Sequence, residues 1–383
     1  RYKSMFLLLA AVIVVAATLR APLTVIGPII SEIGDTLSLN HTMLGGLTTI
    51  PLIMFGIVSP FVAKISAKVG MSMTLFAGML LLLSGLIIRI IPNLPWLVIG
   101  TMLVGTGIAI GNVILPSFVK WRFPAHVGLM TGVFAATMNL TAGIGGGLSV
   151  PLSHYNDYGY QFALGFWIIP SVIGLIVWLP QLKHNPKPEF SVSRRKIYHS
   201  KLAVAIALMM GFQSMNFYST VTWFPEILIH YGVSQETAGY MLMLNQFAQL
   251  PMTFMMPVIA MKMNNQRPLV IAFTILFLIG FTALQFNHIV LIVIGMIATG
   301  LAGGAAFSLC MLFFSLRART NEDAIKLSGF SQSVGYLIAG IGPVLMGYLN
   351  DMTGTYTTSF IMFYIIAICM FLFGMIASKN EYV

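Results

Sequence analysis

The chain has 383 residues, of which 58% are hydrophobic and only 8% charged, against about 25% charged residues in soluble globular domains. That composition, with a mean hydropathy of +0.91, excludes a water-soluble fold and implies an integral membrane protein. The net charge of +10 lies in short connectors between apolar runs, which excludes a nucleic-acid footprint, and Cys310 and Cys369 sit inside apolar runs rather than in a disulfide framework.

Apolar runs fall at about 5–31, 43–66, 72–91, 96–118, 128–150, 162–182, 202–228, 237–261, 268–287, 289–316, 325–349 and 359–378. A tilted crossing helix needs roughly 20–25 residues, so these runs predict an all-α membrane protein of twelve spans, numbered here in chain order. The first run is too long for the apolar core of a signal peptide and carries Arg20, so it is expected to remain as a helix. Turn signals separate the runs, among them Ser38-Leu39-Asn40-His41, Pro92-Asn93-Leu94-Pro95 and Asn156-Asp157-Tyr158-Gly159.

Of the 20 lysines and arginines, 18 lie at the termini or in the even-numbered connectors, and the exceptions are Arg20 and Arg89. The odd-numbered connectors hold acids only: Glu32, Asp35, Asp157, Glu236 and Asp351. By the positive-inside rule both termini are expected in the cytoplasm of a cell-membrane protein.

The longest polar stretch, 183–201, leaves 182 residues on each side. The spacing Gly107-x-x-x-Gly111 recurs as Gly300-x-x-x-Gly304, 193 residues on, and Ala142-Gly143-Ile144-Gly145 recurs as Ala339-Gly340-Ile341-Gly342, 197 residues on. Two similar six-helix bundles, 1–182 and 202–383, joined by a basic linker are therefore expected. That is the architecture of the major facilitators, whose halves relate by an axis along the membrane normal. The glycine pairs read first as close helix packing. The segment Ser59 to Gly70 resembles the cytoplasmic signature of these transporters in degenerate form: Ala67 stands where an acid is expected and Lys68 where an arginine is expected.

A closer resemblance runs through Leu19-Arg20-Ala21-Pro22-Leu23-Thr24-Val25-Ile26-Gly27-Pro28, Gly105 to Ser117, Gly211 to Tyr218 with Trp223-Phe224-Pro225, and Leu327 to Tyr336. These segments look like the cyanate permease and 2-nitroimidazole transporter family. The resemblance implies that spans one, four, seven and ten line a central cavity, with two, five, eight and eleven beside them.

The polar residues cluster in those same spans. Gln213, Asn216, Phe217 and Thr220 share a helical face, with Tyr218 on its edge. Asn245 and Gln249 form an i, i+4 pair, as do Gln332 and Tyr336; Asn112 is at mid-span, and Asn139 is the repeat counterpart of Tyr336. Amides at lipid depth often serve as interhelical glue, but here the set converges on cavity-facing spans. Together with Arg20 these are the candidate substrate-binding residues.

Arg20 carries the most information. An arginine never sheds its charge, and holding one at mid-bilayer costs at least ~2.5–3.5 kcal/mol. A structural strut or an acid partner would also explain it, but the acids lie at helix ends or in loops: Glu32 and Glu226 are at outer ends. Arg89, near the end of span three, is expected to snorkel to the interface. The five tryptophans are expected to act mostly as interfacial anchors, with Trp223 as a candidate cap on the cavity.

No histidine or carboxylate is at mid-span, so any proton coupling is expected to use the substrate's own ionisation or Glu32 and Glu226. No phosphate-binding loop, metal cluster or nucleophile–base constellation appears, so neither an enzyme nor a cofactor is expected. The reading is a transporter of a small anionic or polar solute by alternating access, working in lipid as a monomer. Export or facilitation of neutral heteroaromatic compounds is the alternative, and a channel or receptor a more distant one.

The orientation is directly testable. A cysteine placed at Asn156 should react with an impermeant thiol reagent from outside intact cells, and one at Ser193 only after the membrane is opened. The reverse pattern would overturn the charge argument.

Overall fold

The computed structural model describes residues 2–123, 125–187, 197–319 and 321–383, so the middle of the expected linker, 188–196 with Ser193, lies outside the described residues. Each expected apolar run falls on helix. Ten helical segments are both long and apolar enough to cross a membrane. Two more complete the expected set. Arg267–Ala283 is apolar but only 17 residues long. Gln235–Met261 has 27 residues, ample length at 1.5 Å per residue, but the amides Asn245, Gln246 and Gln249 dilute its hydropathy.

Helix starts follow ordinary capping chemistry. Asn40 accepts from Met43 N at 2.9 Å to start span two. Ser200 and Ser234 accept from Ala203 N and Thr237 N to start spans seven and eight. Each oxygen satisfies an N–H that the first turn leaves without an intrahelical partner.

Span one departs from the expected single helix. It runs as helix from Tyr2 to Ala17, breaks over Thr18-Leu19-Arg20, resumes as Ala21–Thr24, passes a 3-10 turn at Gly27–Ile29 and ends as Ile30–Leu37. Pro22 and Pro28 explain the interruption. Neither has an N–H to offer the carbonyls of Thr18 and Thr24, four residues earlier. Arg20 stands at the break with φ −131° and ψ −35°, outside helical geometry. Non-helical backbone at lipid depth is tolerated only inside the protein, and Ala21 to Ile30 are all buried.

At the end bearing the odd-numbered connectors, outer by the charge argument, the first six spans close against the last six. Asp351 accepts from His41 N (3.0 Å), Thr42 N (2.7 Å) and Thr42 Oγ1 (2.6 Å), and pairs with His41 Nδ1 at 2.9 Å. His154 Nδ1 pairs with Glu236 at 3.1 Å, which places a second bridge between span five and span eight. Ser31 donates to Glu226, Thr49 Oγ1 to the Gly340 carbonyl at 2.6 Å and Thr222 Oγ1 to Thr48 Oγ1 at 2.6 Å.

At the opposite end, the degenerate signature loop is clipped by an amide. Asn185 Nδ2 donates to the Val69 carbonyl at 2.7 Å, and its Oδ1 accepts from Met73 N at 3.1 Å. Gly70, at φ +95°, makes the turn and leaves no side chain where Asn185 sits.

Two expectations are corrected. Trp167, Trp178 and Trp223 are buried, leaving only Trp96 and Trp121 exposed as an interfacial anchor would be. The indole N–H of Trp178 is taken by the Ser72 carbonyl and that of Trp223 by the Pro343 carbonyl, each at 3.0 Å, so these rings are core rather than belt. Arg89 does not snorkel: it is 1% exposed, and its Nη1 donates to the Pro22 carbonyl at 2.8 Å. The break in span one supplies a backbone acceptor inside the bundle.

The outer closure gives a test. Asp351→Ala removes the acceptor of the His41 and Thr42 hydrogen bonds. In a cysteine-free background, labelling of a cysteine at Thr49 by an impermeant reagent from outside should then rise about 5-fold, as expected from losing roughly 1 kcal/mol of cross-bundle bonding. Unchanged labelling would show that the seal does not depend on Asp351.

Candidate functional site

The break in span one turns Arg20 away from its own helix. Its Nη1 donates to Asn139 Oδ1 of span five at 2.5 Å. The guanidinium lies 4.6 Å from the centroid of the Phe217 ring of span seven and 5.4 Å from that of Phe307 of span ten, within the ~6 Å reach of a cation–π contact. One side chain from the first six spans thus touches both the first and the last six.

Arg20 has no ion pair among the described residues. Its Nε and Nη2 have no acceptor there either, and Arg20 is half-buried, not sealed. The charge is therefore held by one amide oxygen and two ring faces, with directed donors left over. Two N–H groups on one planar fork suit an acceptor carrying two oxygens.

Next to Phe217 lies a small cavity of about 10 Å³, room for no more than a water, lined by Asn216, Phe217, Thr220, Asn245, Gln249, Thr299 and Gly303. Spans seven, eight and ten supply its walls. Gly300 and Gly304 explain how span ten comes so near span eight. A Cβ at Gly300 would lie 2.5 Å from the Asn245 carbonyl oxygen, and one at Gly304 would strike the Gln249 carbonyl. The glycine pair read in the sequence as packing therefore sets the width of this cavity.

The amides divide by role. Asn245 Nδ2 donates to the Met296 carbonyl at 3.0 Å and to Thr299 Oγ1 at 2.9 Å, so it ties span eight to span ten. Asn216 Oδ1 and Thr220 Oγ1 are buried with no hydrogen-bond partner among the described residues. A buried polar atom without a partner costs about 1–3 kcal/mol, which a water in this cavity would recover.

A second cluster is aromatic. Phe55 of span two meets Tyr218 at 6.4 Å and Tyr336 at 5.2 Å, both edge-on, and Tyr218 meets Phe217 at 4.9 Å. This links the two tyrosines to the Arg20 site through Phe217.

Of the residues singled out from the sequence, Arg20, Asn139, Asn216, Phe217, Asn245 and Gln249 come together, and Tyr218 and Tyr336 form the adjoining aromatic wall. Three do not join them through any described contact. Gln332 Nε2 donates to Ser328 Oγ of its own helix at 2.8 Å, Gln213 pairs with Ser214 at 3.3 Å, and Asn112 is half-buried without a described side-chain bond.

Sequence reasoning missed Phe55, Thr299, Gly303 and Phe307. For three of them a signal existed: Thr299, Gly303 and Phe307 recur every four residues on one face of span ten. The run is so uniformly apolar that this face does not stand out from it.

Comparison with known proteins gives the family. The family model described as Major Facilitator Superfamily matches residues 6–319 and 206–382. The 2-nitroimidazole transporter of Escherichia coli (strain K12) is 34% identical over 384 residues, covering 99% of this chain and 97% of that protein. The cyanate transport protein CynX of the same strain is 25% identical over 352 residues, covering 91% of each. Among solved structures, a D-xylose-proton symporter matches in fold with a TM-score of 0.79 at 13% identity, covering 99% of this chain and 100% of that one. A multi-pass helical protein with this fold and these relatives belongs to the major facilitator superfamily, in the family of the cyanate and 2-nitroimidazole transporters.

Proposed function

We propose that this major facilitator carries a small anionic or strongly hydrogen-bond-accepting solute across the cell membrane by alternating access, with Arg20 as the charge that receives it. The distribution of Lys and Arg supports a cytoplasmic location for both termini. The observation that carries the reading is the state of Arg20. It is a permanent cation at lipid depth with no acid partner among the described residues, and it keeps Nε and Nη2 unengaged.

In this scheme the solute's acceptor atoms take the spare donors of Arg20. Asn216, Thr220 and Gln249 then meet whatever polar groups the solute brings, and Phe217 and Phe307 flank the pair. Binding cancels the cavity's one charge, so the loaded transporter crosses between states with less desolvation cost than the empty one. Asn139 holds the guanidinium in place, and Tyr218 and Tyr336 close the wall behind.

A second reading has one specific support, the 34% identity to a protein named as a 2-nitroimidazole transporter. A nitro group presents two coplanar oxygens to the same donors with far less charge. On that reading the solute is a neutral heteroaromatic stacked among the rings, and Arg20 supplies hydrogen bonds rather than charge neutralisation.

Two substitutions separate these readings. Arg20→Gln keeps hydrogen bonding and loses the charge, whereas Arg20→Lys keeps the charge and loses the planar fork. For cyanate, uptake into proteoliposomes should show at least ~30-fold weaker half-saturation in Arg20→Gln, with Lys retaining more function, as loss of a desolvated charge contact of ~2 kcal/mol or more requires. For 2-nitroimidazole the same change should cost less. Normal cyanate affinity in a well-folded Arg20→Gln protein would sink the anion reading.

A further inference from the structure

Arg89 is a second permanent charge buried in the protein, at the end of span three, and the proposed transport scheme makes no use of it. It caps span three, where its own N–H bonds the Gly85 carbonyl at 3.0 Å. It is 1% exposed, and no ion pair among the described residues includes it. Its one described side-chain bond goes to the Pro22 carbonyl at 2.8 Å, while Nε and Nη2 are buried without partners among the described residues. Gly100 of span four makes room for it: a Cβ there would fall 2.6 Å from Arg89 N and Cβ.

Stability alone does not account for this residue. Burying a guanidinium with two unpartnered donor atoms costs the fold more than one hydrogen bond returns. What that bond does is local. Within the short segment after Arg20, Leu23 N and Thr24 N bond the Arg20 carbonyl, and Val25 N bonds that of Ala21. The Pro22 carbonyl takes its proton from Arg89 instead.

The other side of the segment is pinned to span five. Thr24 Oγ1 donates to the Ala142 carbonyl at 2.8 Å, and Ser149 Oγ donates to the Val25 carbonyl at 2.7 Å. Span five grips the stretch that follows Arg20 on one side, and Arg89 of span three supplies the opposing grip. Because a broken helix has no internal ladder to fix its angle, these outside bonds set it.

We propose that Arg89 is a positioning residue for transport: it fixes the angle of the break in span one, and through that the place of the Arg20 guanidinium. The functional half of this statement rests on the role proposed for Arg20; the structural half does not.

The test pairs Arg89→Met, which keeps an apolar stem and removes the donor, with Arg89→Lys, which keeps a charged donor. Hydrogen exchange of peptides covering residues 18–26 is measured on the purified proteins, with melting temperature and cyanate uptake on the same preparations. In Arg89→Met, exchange over 18–26 should rise about 10-fold while the rest of the chain is unchanged. Its melting temperature should stay level or rise, because an unpaired buried charge is gone.

Half-saturation for cyanate should weaken about 10-fold with the maximal rate largely kept, and Arg89→Lys should restore most of both. In an Arg20→Gln background the Arg89→Met change should add no further loss, since the two act in one chain of cause. Wild-type exchange over 18–26 in Arg89→Met overturns the proposal, as does a uniform rise across the chain with a lowered melting temperature. If Arg89→Met does not fold, slow exchange over 18–26 in Arg89→Lys supports the proposal and fast exchange there overturns it. If cyanate uptake is indifferent to Arg20→Gln, the role of Arg20 fails, and the exchange measurement still decides whether Arg89 fixes the break.

Discussion

A guanidinium inside a lipid-embedded bundle cannot neutralise itself by losing a proton, so the protein around Arg20 has to supply what water would. It does so with one amide oxygen from Asn139 and the faces of Phe217 and Phe307. The helix that carries Arg20 is broken by Pro22 and Pro28, and the freed segment is bonded from outside by Arg89, Ala142 and Ser149. Removing the requirement to present a charge at this depth would remove the reason for each of these features.

The same constraint shapes the walls. In the proposed scheme the fixed positive charge of Arg20, with no acid partner among the described residues, favours a solute that brings negative charge or concentrated acceptor character. The walls otherwise offer neutral amides, hydroxyls and rings. Asn245 is spent on holding spans eight and ten together, while Asn216 and Thr220 keep unpartnered oxygens. Because Arg20 touches rings on spans seven and ten from span one, a rocking motion of the two bundles in the proposed cycle must remake those contacts. A solute seated on the spare donors of Arg20 would lie at that same junction. The hydrogen bonds among His41, Thr42 and Asp351, and the pair His154–Glu236, tie the bundles at the end bearing the odd-numbered connectors.

Much of this was legible in the sequence, for a physical reason. Lipid forces long apolar helices, so each apolar run fell on helix, and the uniform connector charges set an expected orientation. The depth of Arg20, and the i, i+4 spacing of Asn245 with Gln249 and of Asn216 with Thr220, pointed to residues that do converge. The break in span one was less legible. Pro22, Gly27 and Pro28 were visible, but hydropathy alone runs straight through them. Arg89 was misread because an arginine near a helix end looks the same in sequence whether it reaches for water or for a carbonyl; only the broken neighbour supplies that acceptor. Trp178 and Trp223 were misread likewise, since the Ser72 and Pro343 carbonyls that satisfy them lie on other spans. Phe55 and Phe307 give no polar signal at all, and which aromatic rings face a cation is decided by packing between helices far apart in the chain.

The central claim is that a solute's negative or acceptor atoms sit on the unengaged donors of Arg20. Diffraction from crystals soaked in selenocyanate, a linear anion of cyanate's shape with an anomalously scattering atom, tests it most directly. The account predicts a selenium peak in the space bounded by Phe217, Phe307 and Asn216, with the anion's nitrogen within hydrogen-bond distance of Arg20 Nε or Nη2. The peak should vanish in Arg20→Gln crystals grown the same way. A peak that persists in Arg20→Gln, or that lies away from Arg20 in the wild-type protein, would contradict it.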